Sequence, residues 1–200
     1  MVERKFDRKL QVRTIGLREW RKQTGDYNRY EATPYTALEK LFRSYTLKST
    51  DSVVDFGSGR GRVSFYIHHQ FNVPVTGVEN NDKTFEEALD NKALYRQKYK
   101  KLDAPIQFEY GLAEQYEIEP EDNKFYFFNP FSVNIFKKVV RNILHSVDEE
   151  KRPVDIILYY PLPEFKKFLK KETPFKLINK IKAHSDHGQY GKFLIYRLTT

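Results

Sequence analysis

Three glycines alternate at positions 57, 59 and 61, immediately behind the apolar run of Val53, Val54 and Phe56. A strand that runs into alternating glycines and then a helix offers bare backbone to a ligand. Glycine lets the chain turn sharply and leaves open the space a Cβ would fill. The helix behind the loop adds free N–H groups and the positive end of its dipole. The spacing then discriminates between ligands. A nucleoside-triphosphate loop needs a terminal Lys followed by Ser or Thr, and this loop has none. A dinucleotide loop, G-x-G-x-x-G, would place its third glycine at position 62, which is Arg62. Asp55, two residues before the first glycine, suits a ligand with an ammonium group better than one with a pyrophosphate. A second carboxylate, Glu79, follows the next apolar run, and Asn129-Pro130-Phe131 follows a later one.

These residues need a frame that brings strand ends together. Apolar runs predict strands at 53–56, 75–78, 106–110, 125–128, 154–159, 175–181 and 192–198. Helical spacing predicts helices from Ala37 to Tyr45, Val63 to Phe71, Phe85 to Tyr99 and Val133 to Val147, with a short one around Phe165 to Leu169. On the helix beginning at Phe85, the inward positions are Phe85, Ala88, Leu89, Leu94 and Tyr95. Strands alternating with helices imply right-handed crossovers and a doubly wound, mostly parallel α/β sheet with helices on both faces. The last two strands lack a helix between them and form a C-terminal antiparallel pair, giving a seven-stranded sheet. Residues 1–50 read as a helical lead-in or cap, and 51–200 as the ligand-binding domain. Within the lead-in, 1–29 are polar and peripheral, with a helix around Leu17 to Gln23.

The stretch Asp55-Phe56-Gly57-Ser58-Gly59-Arg60-Gly61 resembles the first motif of class I S-adenosylmethionine-dependent methyltransferases. Val75-Thr76-Gly77-Val78-Glu79 resembles the second. The resemblance covers roughly residues 30–200 and implies S-adenosyl-L-methionine as cofactor, held at Asp55, Gly57, Ser58, Gly59 and Gly61. It gives Glu79, with Asn80 beside it, the ribose hydroxyls, since a carboxylate can accept from both vicinal hydroxyls at once. By position, Gly111-Leu112-Ala113-Glu114 stands at the family's adenine-contacting loop, with Ala113 and Glu114 as the contacts. Family members more often carry Asp one or two residues before Glu114. The competing readings are a non-catalytic cofactor- or nucleotide-binding module and, against the glycine spacing, an NAD-dependent oxidoreductase.

Asn129-Pro130-Phe131 resembles the fourth motif of amino-methylating members, in which Asn or Asp precedes two prolines and an aromatic residue. Here Phe131 replaces the second proline and Ser132 stands at the aromatic position. The resemblance makes Asn129, Pro130 and Phe131 the catalytic segment of a transferase that methylates a nitrogen. The plain alternative is that Asn-Pro ends a buried strand. Tyr30-Glu31-Ala32-Thr33-Pro34-Tyr35 resembles the segment that reaches the cofactor from above, which implies contacts from Tyr30, Thr33 or Tyr35. Thr33 equally suits a helix N-cap, with Pro34 at the first helical position.

Composition closes other routes. The chain has 200 residues and no cysteine, which excludes disulfide scaffolds, thiolate metal sites and a Cys nucleophile. His68-His69 sit on a helix and His184 and His187 frame a polar turn, with no third ligand, so no metal is expected. No run approaches a membrane span, and no apolar segment follows the basic N-terminus, so the expected compartment is the cytoplasm. The net charge of +8 divides into +6 over residues 1–50, −4 over 51–160 and +6 over 161–200. The basic ends bear on the methyl acceptor, a nucleic acid or a protein, or else form a solvated lysine face.

Overall fold

Six strands, the last in the chain alone excepted, point the same way because the chain returns between them to the same end of the sheet, and five of them pair in parallel. In the computed structural model, which describes residues 2–16, 31–183 and 191–199, these are β1 (Ser52–Phe56), β2 (Val75–Glu79), β3 (Ile106–Tyr110), β4 (Asp122–Phe127) and β5 (Val154–Tyr159). β6 (Lys176–Lys182) and β7 (Lys192–Leu198) are antiparallel to each other, and β7 is antiparallel to β5. The sheet order is β3-β2-β1-β4-β5-β7-β6. Order reverses between β1 and β4, and a crevice opens there at the carboxyl ends of the strands.

Six α-helices complete the described fold: α1 (Val2–Leu10), α2 (Tyr35–Ser44), α3 (Arg62–Phe71), α4 (Asp82–Lys98), α5 (Val133–Glu149) and α6 (Pro163–Glu172). One face of the sheet carries a core built from Leu38, Leu41, Phe65, Ile67 and Tyr95, and the other a core built from Phe136, Val140, Ile143, Phe165 and Leu169. Phe136 and Phe165 join α5 to α6 with rings stacked at 4.0 Å.

Three expectations are corrected. The N-terminal segment is not peripheral: Leu10 and Val12 belong to the first core, and Phe6 stacks on Tyr35 at 4.6 Å. Its anchor is the buried Asp7, whose carboxylate accepts from Thr14 N, Thr14 Oγ1 and Tyr35 Oη at 2.7, 2.7 and 2.8 Å. The helix expected around Leu17 to Gln23 lies outside the described residues. On α4, Leu89 and Leu94 are exposed, and the buried stripe runs through Thr84, Ala88, Asn91 and Tyr95. Polar groups are tolerated there because each is bonded: Asn81 Oδ1 caps Thr84 N, and Asn91 bonds the backbone of Arg13 and Arg60. Finally, β4 ends at Phe127, so Phe128 leaves the sheet.

Candidate functional site

The turn after β1 is held by its own backbone. Gly57 N and Ser58 N both donate to Val78 O of β2, at 2.9 and 3.1 Å, and Gly61 N donates to Ser58 O. Two glycines are sterically required. Gly57 has φ +74°, and a Cβ there would strike the Pro130 side chain. Gly61 has φ +85°, caps α3, and a Cβ would come within 2.5 Å of the Phe108 ring. Any residue with a Cβ is thus excluded by space as well as by φ.

Two buried carboxylates flank this turn. Asp55 is 3% exposed and Glu79 6%. Asp55 Oδ2 accepts from Ser64 Oγ at 2.7 Å, yet burial pushes its carboxyl up to about 7. Glu79 Oε2 accepts from Gly59 N at 2.7 Å and Oε1 from Asn81 N at 2.9 Å, while burial raises its carboxyl. Among the described residues no Lys, Arg or His lies within ion-pair distance of either group. A buried carboxylate without a cation is unfavourable unless something supplies one. Each Glu79 oxygen keeps acceptor capacity beyond the bond it already makes. Ser58 Oγ is buried without a hydrogen-bond partner among the described residues. Negative charge, free acceptors and a spare hydroxyl fit a ligand bearing a cation and hydroxyl groups, which S-adenosylmethionine does.

Asp55, Gly57, Ser58, Glu79 and Asn80 line one cavity that is partly open to solvent. Gly111, Ala113, Thr33, Tyr126, Phe128, Pro130 and Phe131 continue its wall, with Pro130 against Gly57. Phe131 is fully buried, edge-on to Phe127. Thr33 Oγ1 bonds Tyr126 Oη at 2.8 Å, so it does not cap α2; Pro34 is the N-cap and makes no side-chain cap bond.

Other candidate residues stand elsewhere. Tyr35 is buried behind the wall, its ring under the Arg62 guanidinium at 4.7 Å, and does not line the cavity. Glu114 points away as well: its carbonyl accepts from Asn142 Nδ2 and its carboxylate lies 3.8 Å from Lys138 Nζ. Gly59 and Gly61 shape the turn without lining the cavity, Gly59 through its bond to Glu79. Asn129 sits at the rim with φ +42°, a left-handed turn that swings Pro130 and Phe131 into the wall. Tyr30 lies outside the described residues.

Arg62, Tyr126 and Phe128 line the cavity although the sequence offers no site role for them. Arg62 is buried and bonds Thr14 Oγ1, the Glu3 carboxylate and Thr33 O. Its partners lie far away in sequence, so no local pattern announces them. His68, by contrast, is structural: its ring nitrogens bond Tyr95 Oη and Ala104 O. Among the described residues no cluster of three His, Cys, Asp or Glu could hold a metal, and no helix is long and apolar enough to cross a membrane.

No family model matches the sequence, and no curated protein matches it. The fold does match solved structures. An RNA methyltransferase from Salinibacter ruber, in complex with S-adenosyl-L-homocysteine, aligns with TM-score 0.52 and 17% identity, over 84% of this chain and 93% of that one. TrmN from Thermus thermophilus aligns with TM-score 0.56 and 15% identity, over 82% of this chain and 48% of that one. Ribosomal protein L11 methylase from Lactobacillus delbrueckii subsp. bulgaricus aligns with TM-score 0.51 and 15% identity, over 82% and 77%. The chain therefore has the Rossmann-like fold of the class I S-adenosylmethionine-dependent methyltransferases.

Proposed function

We propose that this protein is an S-adenosylmethionine-dependent methyltransferase acting on a nitrogen of a macromolecule, RNA, DNA or protein. The observation that carries the reading is the pair Asp55 and Glu79, buried on either side of the glycine turn without a cation among the described residues. Similarity to methylases of RNA and of a ribosomal protein supports a macromolecular acceptor.

When bound, S-adenosylmethionine supplies a methyl group already activated on a sulfonium centre. The protein's own task is then chiefly to bind, align and keep water out. Glu79 accepts from the vicinal hydroxyls with the acceptor capacity its two N–H bonds leave over. Asp55 lends its charge to the ammonium end. Phe131 and Phe128 exclude water. At the rim, the Asn129 side-chain oxygen and the Pro130 carbonyl accept from the acceptor's N–H. That turns the nitrogen lone pair inward and holds the reacting atoms within about 3–3.5 Å. The methylated nitrogen releases its proton to water at the open side of the cavity, with S-adenosylhomocysteine as the other product, so no general base is required of the cavity wall.

Calorimetric titration with S-adenosylmethionine, S-adenosylhomocysteine and NAD tests this. Binding of both sulfur compounds and not of NAD is expected. Absence of heat with both sulfur compounds overturns the reading, and selective binding of NAD replaces it with the oxidoreductase.

A further inference from the structure

The carboxyl-end rim of the sheet continues past the cavity from β4 through β5 and β7 to the edge strand β6. Phe128, in the cavity wall, packs on Tyr159 with centroids 4.7 Å apart and on Tyr160 at 6.0 Å. Tyr160 is held at φ +52°, a left-handed conformation that is strained for a bulky side chain, and its N–H donates to Lys192 O at 3.2 Å. Such strain at the rim of a site points to function. Next along the rim stands Lys192, directly opposite Lys182 in the β6–β7 register. Opposed residues of an antiparallel pair share a face, and Lys180 shares it by alternation. Burial, then the charges of Lys180 and Lys166, hold the Lys192 ammonium below its usual range. At about 4.8 Å per strand, the step from β4 to β7 spans roughly 10 Å and that to β6 roughly 15 Å.

Lysines on an edge strand commonly prevent sheet-to-sheet pairing. That accounts for Lys180 and Lys182 on β6. It does not account for Lys192, opposite Lys182 on the interior strand β7, or for Lys166 on α6, whose charge acts on Lys192. Four cationic side chains from three elements stand at the same end of the sheet as the aromatic step, on the other face of β7, and match a chain of phosphates that crosses the rim and turns the flat faces of its bases to the rings. An acidic peptide would use the lysines and leave the aromatic step without a role.

We propose that a single-stranded nucleic acid docks on this rim, its phosphates on Lys166, Lys180, Lys182 and Lys192, and that Tyr160 and Phe128 stack a base at the cavity mouth. The proposal rests on the methyltransferase reading only for what happens beyond the mouth. The full chain, without cofactor, is titrated into a labelled short mixed-sequence RNA, the matching DNA, the duplex and a labelled acidic peptide, and anisotropy is followed at several salt concentrations. Binding of single-stranded RNA or DNA ahead of duplex and peptide is expected, and the two single strands tell which is preferred. Joint replacement of Lys180, Lys182 and Lys192 by Ser should lower the slope of log affinity against log salt by about 2. Tyr160→Gly, which suits the left-handed backbone, should weaken binding about fivefold or more. Both variants should bind S-adenosylhomocysteine as the parent chain does, which shows that they are folded. Equal binding of the acidic peptide, or an unchanged salt slope in the lysine variant, overturns the proposal. Failure of the parent chain to bind either sulfur compound would strike the function above and leave the nucleic-acid surface standing.

Discussion

The parallel strands bury carboxylates at both of their ends, and the two ends treat them differently. At the amino ends, Asp155 accepts both Arg197 nitrogens at 2.7 and 2.8 Å and the Tyr45 hydroxyl, with Lys124 at 3.9 Å. Asp51 takes Lys124 at 3.1 Å, Lys48 N and Asn123 Nδ2. Asp122 takes the Tyr116 and Ser52 hydroxyls and Glu119 N. At the carboxyl ends, Asp55 has the Ser64 hydroxyl and Glu79 two backbone N–H groups, with no cation among the described residues. Asp155 and Asp51 have their cations, Asp122 has three neutral donors and no ion pair among the described residues, and Asp55 and Glu79 have fewer donors than Asp122 and likewise no cation. One sheet thus separates the Asp51 and Asp155 charges, which are ion-paired, from those of Asp55 and Glu79, which have no cation among the described residues.

The largest expected effect lies at the amino end. Asp155→Asn removes the charge that Arg197 and Lys124 share, and Lys124 is itself nearly buried. Breaking a buried pair from one side typically costs about 3–5 kcal/mol. Arg197 keeps solvent access and Lys124 keeps Asp51, so about 2–3 kcal/mol is expected here. Urea titration measures it. Affinity for S-adenosylhomocysteine should be unchanged in the folded protein. A loss of affinity without a loss of stability would erase the distinction between the two ends.

The same substitution at the other end should have the opposite sign. The Asp55 carboxyl is raised from its usual value to about 7, so between about pH 4 and 7 the folded chain binds more protons there than the unfolded chain does. Stability contributed by this group is present at low pH and is lost as pH rises through that window. Asp55→Asn, measured by urea titration near pH 8, should therefore stabilise the ligand-free protein, by on the order of 1–2 kcal/mol. Calorimetry on the same variant should show cofactor affinity at least about tenfold weaker, because the ammonium loses its partner. Destabilisation at that pH would show that Asp55 already has its charge balanced.

A milder form of this contrast needs no mutation. Binding a cation beside Asp55 favours its ionised form, so cofactor association should release a proton near neutral pH. Affinity should fall by up to about tenfold per unit as pH drops below about 7. Calorimetry in buffers of different ionisation enthalpy reads both. A pH-independent affinity would mean that Asp55 is ionised before the ligand arrives.

What could be read in advance follows the same division. β3, β5 and β7 were expected at their observed limits because apolar alternation or continuity ends at turn residues. That Asp55, Gly57 and Glu79 share one cavity was legible because each sits at or just past the end of an apolar run, and neighbouring strands bring those ends together. α1 was not legible, since its burial depends on Asp7 meeting Thr14 and Tyr35 rather than on an apolar stripe. Leu89 and Leu94 misled because α4 buries Thr84 and Asn91 through hydrogen bonds that hydrophobicity cannot register. Arg62 enters the wall through Glu3 and Thr14, and Phe128 enters it because the chain leaves β4 one residue before the apolar run ends. Local chemistry shows in a sequence, whereas polar contacts across the fold appear only once it is built.

The smallest expected effect on stability or affinity belongs to the residue that stands outside both sets. Asn129 lies at the rim with φ +42° and does not line the cavity. Replacement by Ala would confuse loss of the amide with strain of a left-handed backbone, whereas glycine adopts that conformation freely. Asn129→Gly should leave stability within about 0.5–1 kcal/mol and cofactor affinity within about twofold. Methyl transfer should fall about 100-fold if the side-chain oxygen orients the acceptor nitrogen, since misplacement by an ångström costs that much. Radiolabelled methyl transfer into fractionated extract, beside calorimetry on the same preparation, separates the two readouts. Loss of both in equal measure would move Asn129 to the cofactor's supports, whereas full activity would leave it as the turn that delivers Pro130 and Phe131 to the wall.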